Sequence, residues 1–276
     1  MQIKNHRSID RRDFGQRLIA HAYLWVLLLV LYAPIAVILV CSFTESKVLG
    51  NWTGFSLKLY TNLFNGVAGA SLTSAIINTG LIALVAATIS TFLGTIAAFG
   101  IHYMKPRYQS TVLRVNQFPI INPDIITGIS LFLLFVALGI DRGLGTVIAA
   151  HVAFCTPYVV LSVMPRLKRM TPNLYEAALD LGARPSQAFR KVIIPEVLPG
   201  MISGFILSLT LSIDDFGVTL FTKGSEGLHT LSTYIYADAR KGGLTPELRP
   251  LFTLIFITIL ILLIVSNIRA SKTTKK

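Results

Sequence analysis

Six long apolar runs separated by short polar stretches dominate the pattern of this 276-residue chain. The first extends from Leu18 to Cys41 and carries Pro34, which predicts a kink in an otherwise continuous helix. A basic start before an apolar stretch also occurs in secretory signal peptides. This run is longer than their apolar region and lacks the small-residue cleavage pattern, so it is read as a first span. The second run, Ile76 to Ile101, holds Gly80, Ala83, Ala86, Ala87, Gly94, Ala97 and Ala98. Small residues let helix backbones approach closely in lipid, so this span is expected to face other helices. The third is interrupted by Pro119, Asn122 and Pro123 before the clean stretch Ile125 to Ile140. That stretch is shorter than the ~20 residues a crossing needs, so the span is expected to begin near Val115 and to be broken near its middle. Broken backbone at membrane depth survives only where protein or a cavity satisfies it. The fourth run is Thr146 to Met164, with Pro157 inside. The fifth is Leu198 to about Leu220, and the sixth is Leu251 to Ile268. The expectation is an all-α membrane protein with six transmembrane helices. One transmembrane domain, 18–268, is expected between an N-terminal tail, 1–17, and a C-terminal tail, 269–276.

Charge follows the same frame. Only 14% of residues are charged while 53% are hydrophobic, and the formal net charge is +12. A basic balance can mark a nucleic-acid binder, but here Lys and Arg sit at the ends of apolar runs, where the positive-inside rule puts them. Eighteen of the 25 fall in the N-terminal tail, in 105–114, in 166–191 and in the C-terminal tail. The remaining seven lie in the alternate segments. This bias puts both termini in the cytoplasm, and an even number of spans requires the termini to share a side.

Catalytic signatures are missing. The chain has no GxxxxGK[ST] phosphate cradle, no HExxH and no GxSxG. Cys41 and Cys155 lie inside apolar runs and read as small buried hydrophobes, with no disulfide or metal spacing. The five histidines are scattered, and His151, near the outer end of the fourth span, reads as a packing residue with its hydrogen bonds satisfied. Neither an enzyme active site nor a metal site is expected, and no cofactor is expected in this chain.

The longest segment on the predicted cytoplasmic side, 165–197, has the punctuation of a folded element. Thr171-Pro172 reads as a helix start, LYEAALDL as a strong helix former and Gly182 as its stop. Pro185 opens a second short helix before Ile194-Pro195. Ala177 and Ala178 are small enough to let another surface come close. A short docking helix in a loop spanning 171–195 is expected.

Glu176-Ala177-Ala178, three residues, Gly182, nine residues, then Val192-x-Ile194-Pro195 resembles the EAA loop of ABC importer permeases, EAA-x3-G-x9-I-x-L-P. Val192 and Ile194 depart from it conservatively. The position about 100 residues from the C-terminus, between two spans, also fits that family. The stretches FPIINPDIITGISLFLLFVALGI, HVAFCTPYVV, YEAALDLGA and LSLTLSIDDFGVTLF resemble the PotC-type permease of spermidine/putrescine importers. The resemblance implies a type I ABC importer permease fold with a cytoplasmic coupling helix in a bacterial plasma membrane. It also implies a PotB-type second permease, a PotA-type ATPase dimer that binds ATP and Mg, and a PotD-type extracytoplasmic binding protein. Within it, Glu176, Ala177, Ala178, Gly182 and Pro195 are the ATPase-coupling residues.

Three acids fall within or beside apolar runs: Asp124, Asp214 and Asp215. An ionisable group in the bilayer is a functional candidate by default. Counted along a straight helix from Arg114, Asp124 lies roughly 15 Å in, near the midplane, with Asp214 and Asp215 nearer the outer face. Two carboxyl levels along one path suit an elongated polycation, with Phe118, Tyr158 and Phe216 as possible cation–π partners. The alternative is that these acids cap broken helices; Asp124 follows Pro123, where an acid favours a helix N-terminus. On a helix, adjacent Asp214 and Asp215 point about 100° apart, so only one need face the path. Two other readings remain open: an ABC permease for another small cation or a metal, and a standalone secondary transporter.

Overall fold

The computed structural model describes residues 9–46, 48, 50–65, 69–170, 174–224, 227–241 and 243–273. The predicted helix start Thr171-Pro172 lies outside them, as do the extreme ends of both tails. Among the described residues the fold is all helical. The order is α1 (Ile9–Cys41), α2 (Lys58–Phe64), α3 (Ala70–His102), α4 (Pro106–Ile121), α5 (Asp124–Ala137) and α6 (Leu144–Arg169). Then come α7 (Leu174–Asp180), α8 (Pro185–Ala188), a π-helical turn (Phe189–Ile193), α9 (Ile194–Asp214), α10 (Gly217–Thr222), α11 (Leu231–Ala239) and α12 (Leu248–Thr273).

The chain divides into two compact units. The first comprises 1–69 and 242–276, that is α1, α2 and α12. α1 begins nine residues before the predicted span and so carries part of the basic N-terminal segment on the helix. Its apolar side chains, Trp25 and Leu29 among them, stay largely exposed, as expected of a helix facing lipid or another subunit. Where α1 meets α12, Ile35, Ile38, Leu39, Phe252, Phe256 and Ile259 line an apolar groove. Beyond α1 the chain is pinned by polar contacts: buried Arg249 donates from Nη1 to the Ser46 carbonyl (2.8 Å), and Ser42 Oγ pairs with the Tyr60 hydroxyl (2.8 Å).

The second unit, 70–241, holds α3 to α11 and is built on α3, α6 and α9. The small-residue stripe of the second apolar run does what lipid-embedded packing requires. Ala83, Ala86, Ala87, Gly94 and Ala98 are buried at helical spacing. A methyl group on Gly94 would stand 2.6 Å from Val159 Cβ on α6. From α9, methyls on Gly200 and Gly204 would stand 2.9 Å from the Ser162 carbonyl oxygen and 3.2 Å from Val159 Cα of the same helix α6. Gly80 is the exception to the expected stripe: it is exposed and has open space around its Cα. The same contacts make a stability prediction. Gly94→Leu should lower the melting temperature of the detergent-purified protein, by an overpacking penalty of ~1–3 kcal/mol. Gly80→Ala should leave it unchanged. Equal melting of both variants would show that the α3–α6 contact does not hold this unit together.

The third run is broken at Asn122-Pro123, as its prolines predict, but the break is far sharper than a kinked span. α4 and α5 meet at 103°. Pro123 lacks the N–H that would continue the helix, and it disfavours helical backbone at Asn122, which is extended (ψ 137°). Depth therefore cannot be counted along α4, and the straight-helix arithmetic that put Asp124 15 Å beyond Arg114 fails. Asn116 on α4 donates to the Pro157 carbonyl of α6 (3.2 Å), which fixes α4 against the bundle. The fifth run is also shorter than expected. Its helix stops at Asp214, and 217–222 form the separate α10.

Among the described residues, four helices are long and apolar enough to cross a membrane: the apolar part of α1 (Ile19–Cys41), α3, α6, and the continuous segment from Pro185 to Asp214. The bent pair α4–α5 makes up to five, and α12 adds a shorter apolar stretch, Leu248–Ile261, among the described residues.

Candidate functional site

Two places in the second unit carry the chemistry expected of the sequence. The first is where α9 ends. After Ile213-Asp214 the backbone turns extended at Asp215 (φ −62°, ψ 130°) and restarts as α10 at Gly217. The turn has a local cause. The Asp215 carboxylate accepts hydrogen bonds from the backbone N–H groups of Val218 (3.1 Å) and Thr219 (2.8 Å) and from the Thr219 hydroxyl (2.7 Å). An aspartate satisfying the first N–H groups of a new helix competes with continuation of the old one.

His151 of α6 reaches the same cluster. It is fully buried, with Nδ1 2.6 Å from Ser212 Oγ, and Nε2 2.9 Å from Thr219 Oγ1 and 3.4 Å from Asp215 Oδ2. Because the Thr219 hydroxyl donates to Asp215, its oxygen is left to accept from His151 Nε2–H. Nδ1 of that tautomer then accepts from Ser212. α6, the end of α9 and the start of α10 are thereby tied through one histidine.

The three candidate acids are brought to one neighbourhood, but on different terms. Asp215 is 6% exposed and directed into the cluster just described, so the geometry gives it the capping role weighed against a pathway role in the sequence. Asp214 is exposed, and it has no hydrogen bond or ion pair among the described residues. Asp124, the first residue of α5, is exposed too. A methyl group on Gly217 would lie 3.3 Å from Asp124 Cβ and 3.2 Å from the Ile125 nitrogen, so a glycine there lets α10 begin close against the start of α5. A methyl group on Gly128, one turn on, would stand 2.9 Å from the Gly217 carbonyl oxygen. Asp124 is within electrostatic reach of Asp214 and Asp215, and Tyr158 of α6 is within reach of Asp124. Phe216 packs at a tilt against Tyr236 of α11 (4.7 Å between ring centroids), and Phe118 is exposed on α4. His151 is buried with both ring nitrogens bonded, as the sequence reading of a satisfied packing histidine expects; its place in this cluster is what that reading did not show. Nothing along the chain distinguishes a lone apolar-run histidine that organises a cluster from one that merely packs.

The second place is the loop between α6 and α9. α7 ends as the sequence predicts. Gly182 takes a left-handed φ of +86°, its N–H bonds the Leu179 carbonyl (2.9 Å) and the Ala183 N–H bonds the Ala178 carbonyl (3.1 Å). This is a Schellman ending that a side chain at Gly182 would strain. Glu176 and Ala177 are exposed, Ala178 is half-buried, and Leu181 at the tip is 89% exposed. The expected second short helix does not end before Pro195; it merges with α9. The Ile194 N–H reaches back to the Phe189 carbonyl, a π-helical turn placed just before Pro195, which has no N–H to give. α7 is seated on the end of α3 by an aromatic cluster: Phe99 lies 5.5 Å from Tyr175 and 4.9 Å from Phe189, and Tyr103 lies 5.7 Å from Tyr175. Burial first, then the nearby Glu176 carboxylate and Tyr175, holds the Tyr103 phenol above its ordinary pKa.

A family described as the binding-protein-dependent transport system inner membrane component matches residues 90–270, a span that includes both places. This chain belongs to that family. Among its relatives, the putrescine transport system permease protein PotI of Escherichia coli (strain K12) is 38% identical over 232 residues, 82% of this chain and 81% of the relative. The spermidine/putrescine transport system permease proteins PotC of Haemophilus influenzae and of Escherichia coli (strain K12) are each 34% identical, over 91% and 94% of this chain and 96% of each relative. In fold, the binding-protein-dependent permease resembles a bacterial ABC transporter involved in the import of the acidic polysaccharide alginate. The TM-score is 0.68 at 16% identity, over 98% of this chain and 99% of the other. It also resembles the MetNI methionine ABC transporter, with a TM-score of 0.52 at 20% identity, over 72% and 95%. The chain is a multi-pass inner-membrane permease subunit of an ABC importer, and ATP hydrolysis belongs to separate subunits. Membership overturns the alternative of a standalone secondary transporter.

Proposed function

We propose that this permease forms the membrane path for polyamines, with Asp124 and Asp214 as the carboxylates that replace water around the cation. The observation that carries the reading is the pair of exposed, unpaired acids at the junction of α5, α9 and α10, while Asp215 beside them already has its carboxylate hydrogen-bonded within the protein. The names of the relatives, spermidine/putrescine and putrescine permeases, support the substrate class. A polycation crossing hydrocarbon needs fixed negative charge close by, and an anion would be repelled by the same acids.

On this reading six spans cross the membrane, the bent pair α4–α5 and α12 among them, with both termini in the cytoplasm. Glu176, Ala177, Ala178, Gly182 and Pro195 belong to the element that couples to the ATPase. The working assembly has a second, PotB-type permease, two PotA-type ATPase subunits that bind ATP and Mg, and a PotD-type binding protein outside. A permease for another small cation or a metal is the competing reading.

Co-purification of the four components tests it. ATP hydrolysis by the assembly should rise when the binding protein is loaded with spermidine or putrescine and stay at its basal level with the empty binding protein. Stimulation by a metal ion or another cation, with none by either polyamine, would replace the substrate assignment.

A further inference from the structure

Taking this substrate-path reading as its base, we propose that His151 is a positioning residue for the path: through Asp215 and Thr219 it holds the α9–α10 break that sets Asp214 beside Asp124. The side chain joins elements that sequence separation keeps far apart. Its Nδ1 lies 2.6 Å from Ser212, two residues before Asp214 in α9. Its Nε2 lies 2.9 Å from Thr219, the residue whose backbone and hydroxyl both bond Asp215. The imidazole thus fixes one residue on each side of the Asp214–Gly217 turn. Gly217, at the far side of that turn, is where α5 and Asp124 come to rest.

Burial makes this arrangement definite. His151 is fully buried, Ser212 and Asp215 nearly so, and Thr219 fully, so no water substitutes for a missing partner without rearrangement. Removing the ring leaves an acid, two hydroxyls and a helix start without their common anchor. The turn is then free to shift Asp214 relative to Asp124. His151 touches neither exposed acid, so its effect on transport must run through their placement. A residue that only filled space would lower the amount of folded protein by the same factor whether or not Asp214 carries charge.

The test is a double-mutant cycle on the reconstituted importer, with labelled polyamine uptake measured at matched amounts of folded permease. His151→Ala should lower uptake by about tenfold, while His151→Gln, which can still donate to Thr219 and Asp215, should retain at least about half. In an Asp214→Asn background, His151→Ala should add a further loss of less than about twofold, because the placement it disturbs no longer matters. Thr219→Val, which removes one anchor and keeps the side-chain shape, should lower uptake in the same non-additive way and stands in if His151→Ala does not fold. The proposal is overturned by normal uptake in His151→Ala, by an equal loss in both backgrounds, or by Thr219→Val acting additively. If the unmutated importer takes up no polyamine at all, the substrate reading itself fails and the inference falls with it. That outcome is distinct from normal wild-type uptake with an indifferent His151.

Discussion

Asp214→Asn and Asp124→Asn should each depress polyamine uptake by on the order of 100-fold while the assembly keeps its basal ATP hydrolysis. The size follows from the cost of a charge in the bilayer, ~2.5–3.5 kcal/mol, when one carboxylate of the path no longer offsets a cationic group. Asparagine keeps the size and some hydrogen bonding and removes only the charge. Asp215→Asn should behave differently. Its carboxylate already accepts three hydrogen bonds within the protein and faces His151. Loss of its charge weakens the α10 cap, and it should show first as a lower melting temperature and less folded protein. Uptake and thermal melting of the three variants, measured together, separate path from cap. Wild-type uptake in both Asp214→Asn and Asp124→Asn would remove these acids from the mechanism.

Glu176→Lys and Gly182→Leu should each lower uptake by more than about tenfold with folded protein still in the membrane, a coupling loss above ~1.4 kcal/mol. Glu176 is exposed on α7, so lysine reverses charge on a surface free to meet a partner. At Gly182 the structure adds a second reason to the expected block of close approach. The backbone is left-handed there with open space around it, so leucine strains the turn that ends α7 rather than colliding with a neighbour. Gly182→Asn separates the two effects, because asparagine tolerates that backbone conformation better than other side chains. If surface contact is what matters, Gly182→Asn should transport as poorly as Gly182→Leu; if turn geometry is what matters, it should recover. In contrast to the acid variants, these lesions should uncouple ATP hydrolysis from uptake. Normal uptake by both Glu176→Lys and Gly182→Leu at equal membrane levels would remove the loop from the coupling role.

What the sequence makes legible here follows the range over which each signal acts. Apolar runs and their proline and glycine punctuation are local, and they place the long helices, the break at Asn122-Pro123 and the end of α7 at Gly182 close to where they are found. The angle of a break is not local. The 103° turn between α4 and α5 depends on Asn116 holding α4 to α6 and on Gly217 receiving the start of α5. The fate of Pro195 is set by a π-helical turn upstream, which no proline rule anticipates. The acids stand out in the sequence because charge is rare in apolar runs. Which of them is held inside the protein by hydrogen bonds depends on a histidine more than 60 residues away and on two hydroxyls. Small residues likewise announce close packing without naming the partner. Gly94, Gly200 and Gly204 all meet α6, whereas Gly80 meets nothing.

Uptake of labelled spermidine into proteoliposomes containing this permease, its permease partner and the ATPase subunits, with the binding protein outside, measures the central claim. The account predicts accumulation that requires both ATP and the binding protein, is competed by unlabelled spermidine or putrescine, and falls sharply when Asp214 and Asp124 are both asparagine. ATP-driven accumulation of a different cation or a metal by the same vesicles, with no uptake of either polyamine, would contradict it.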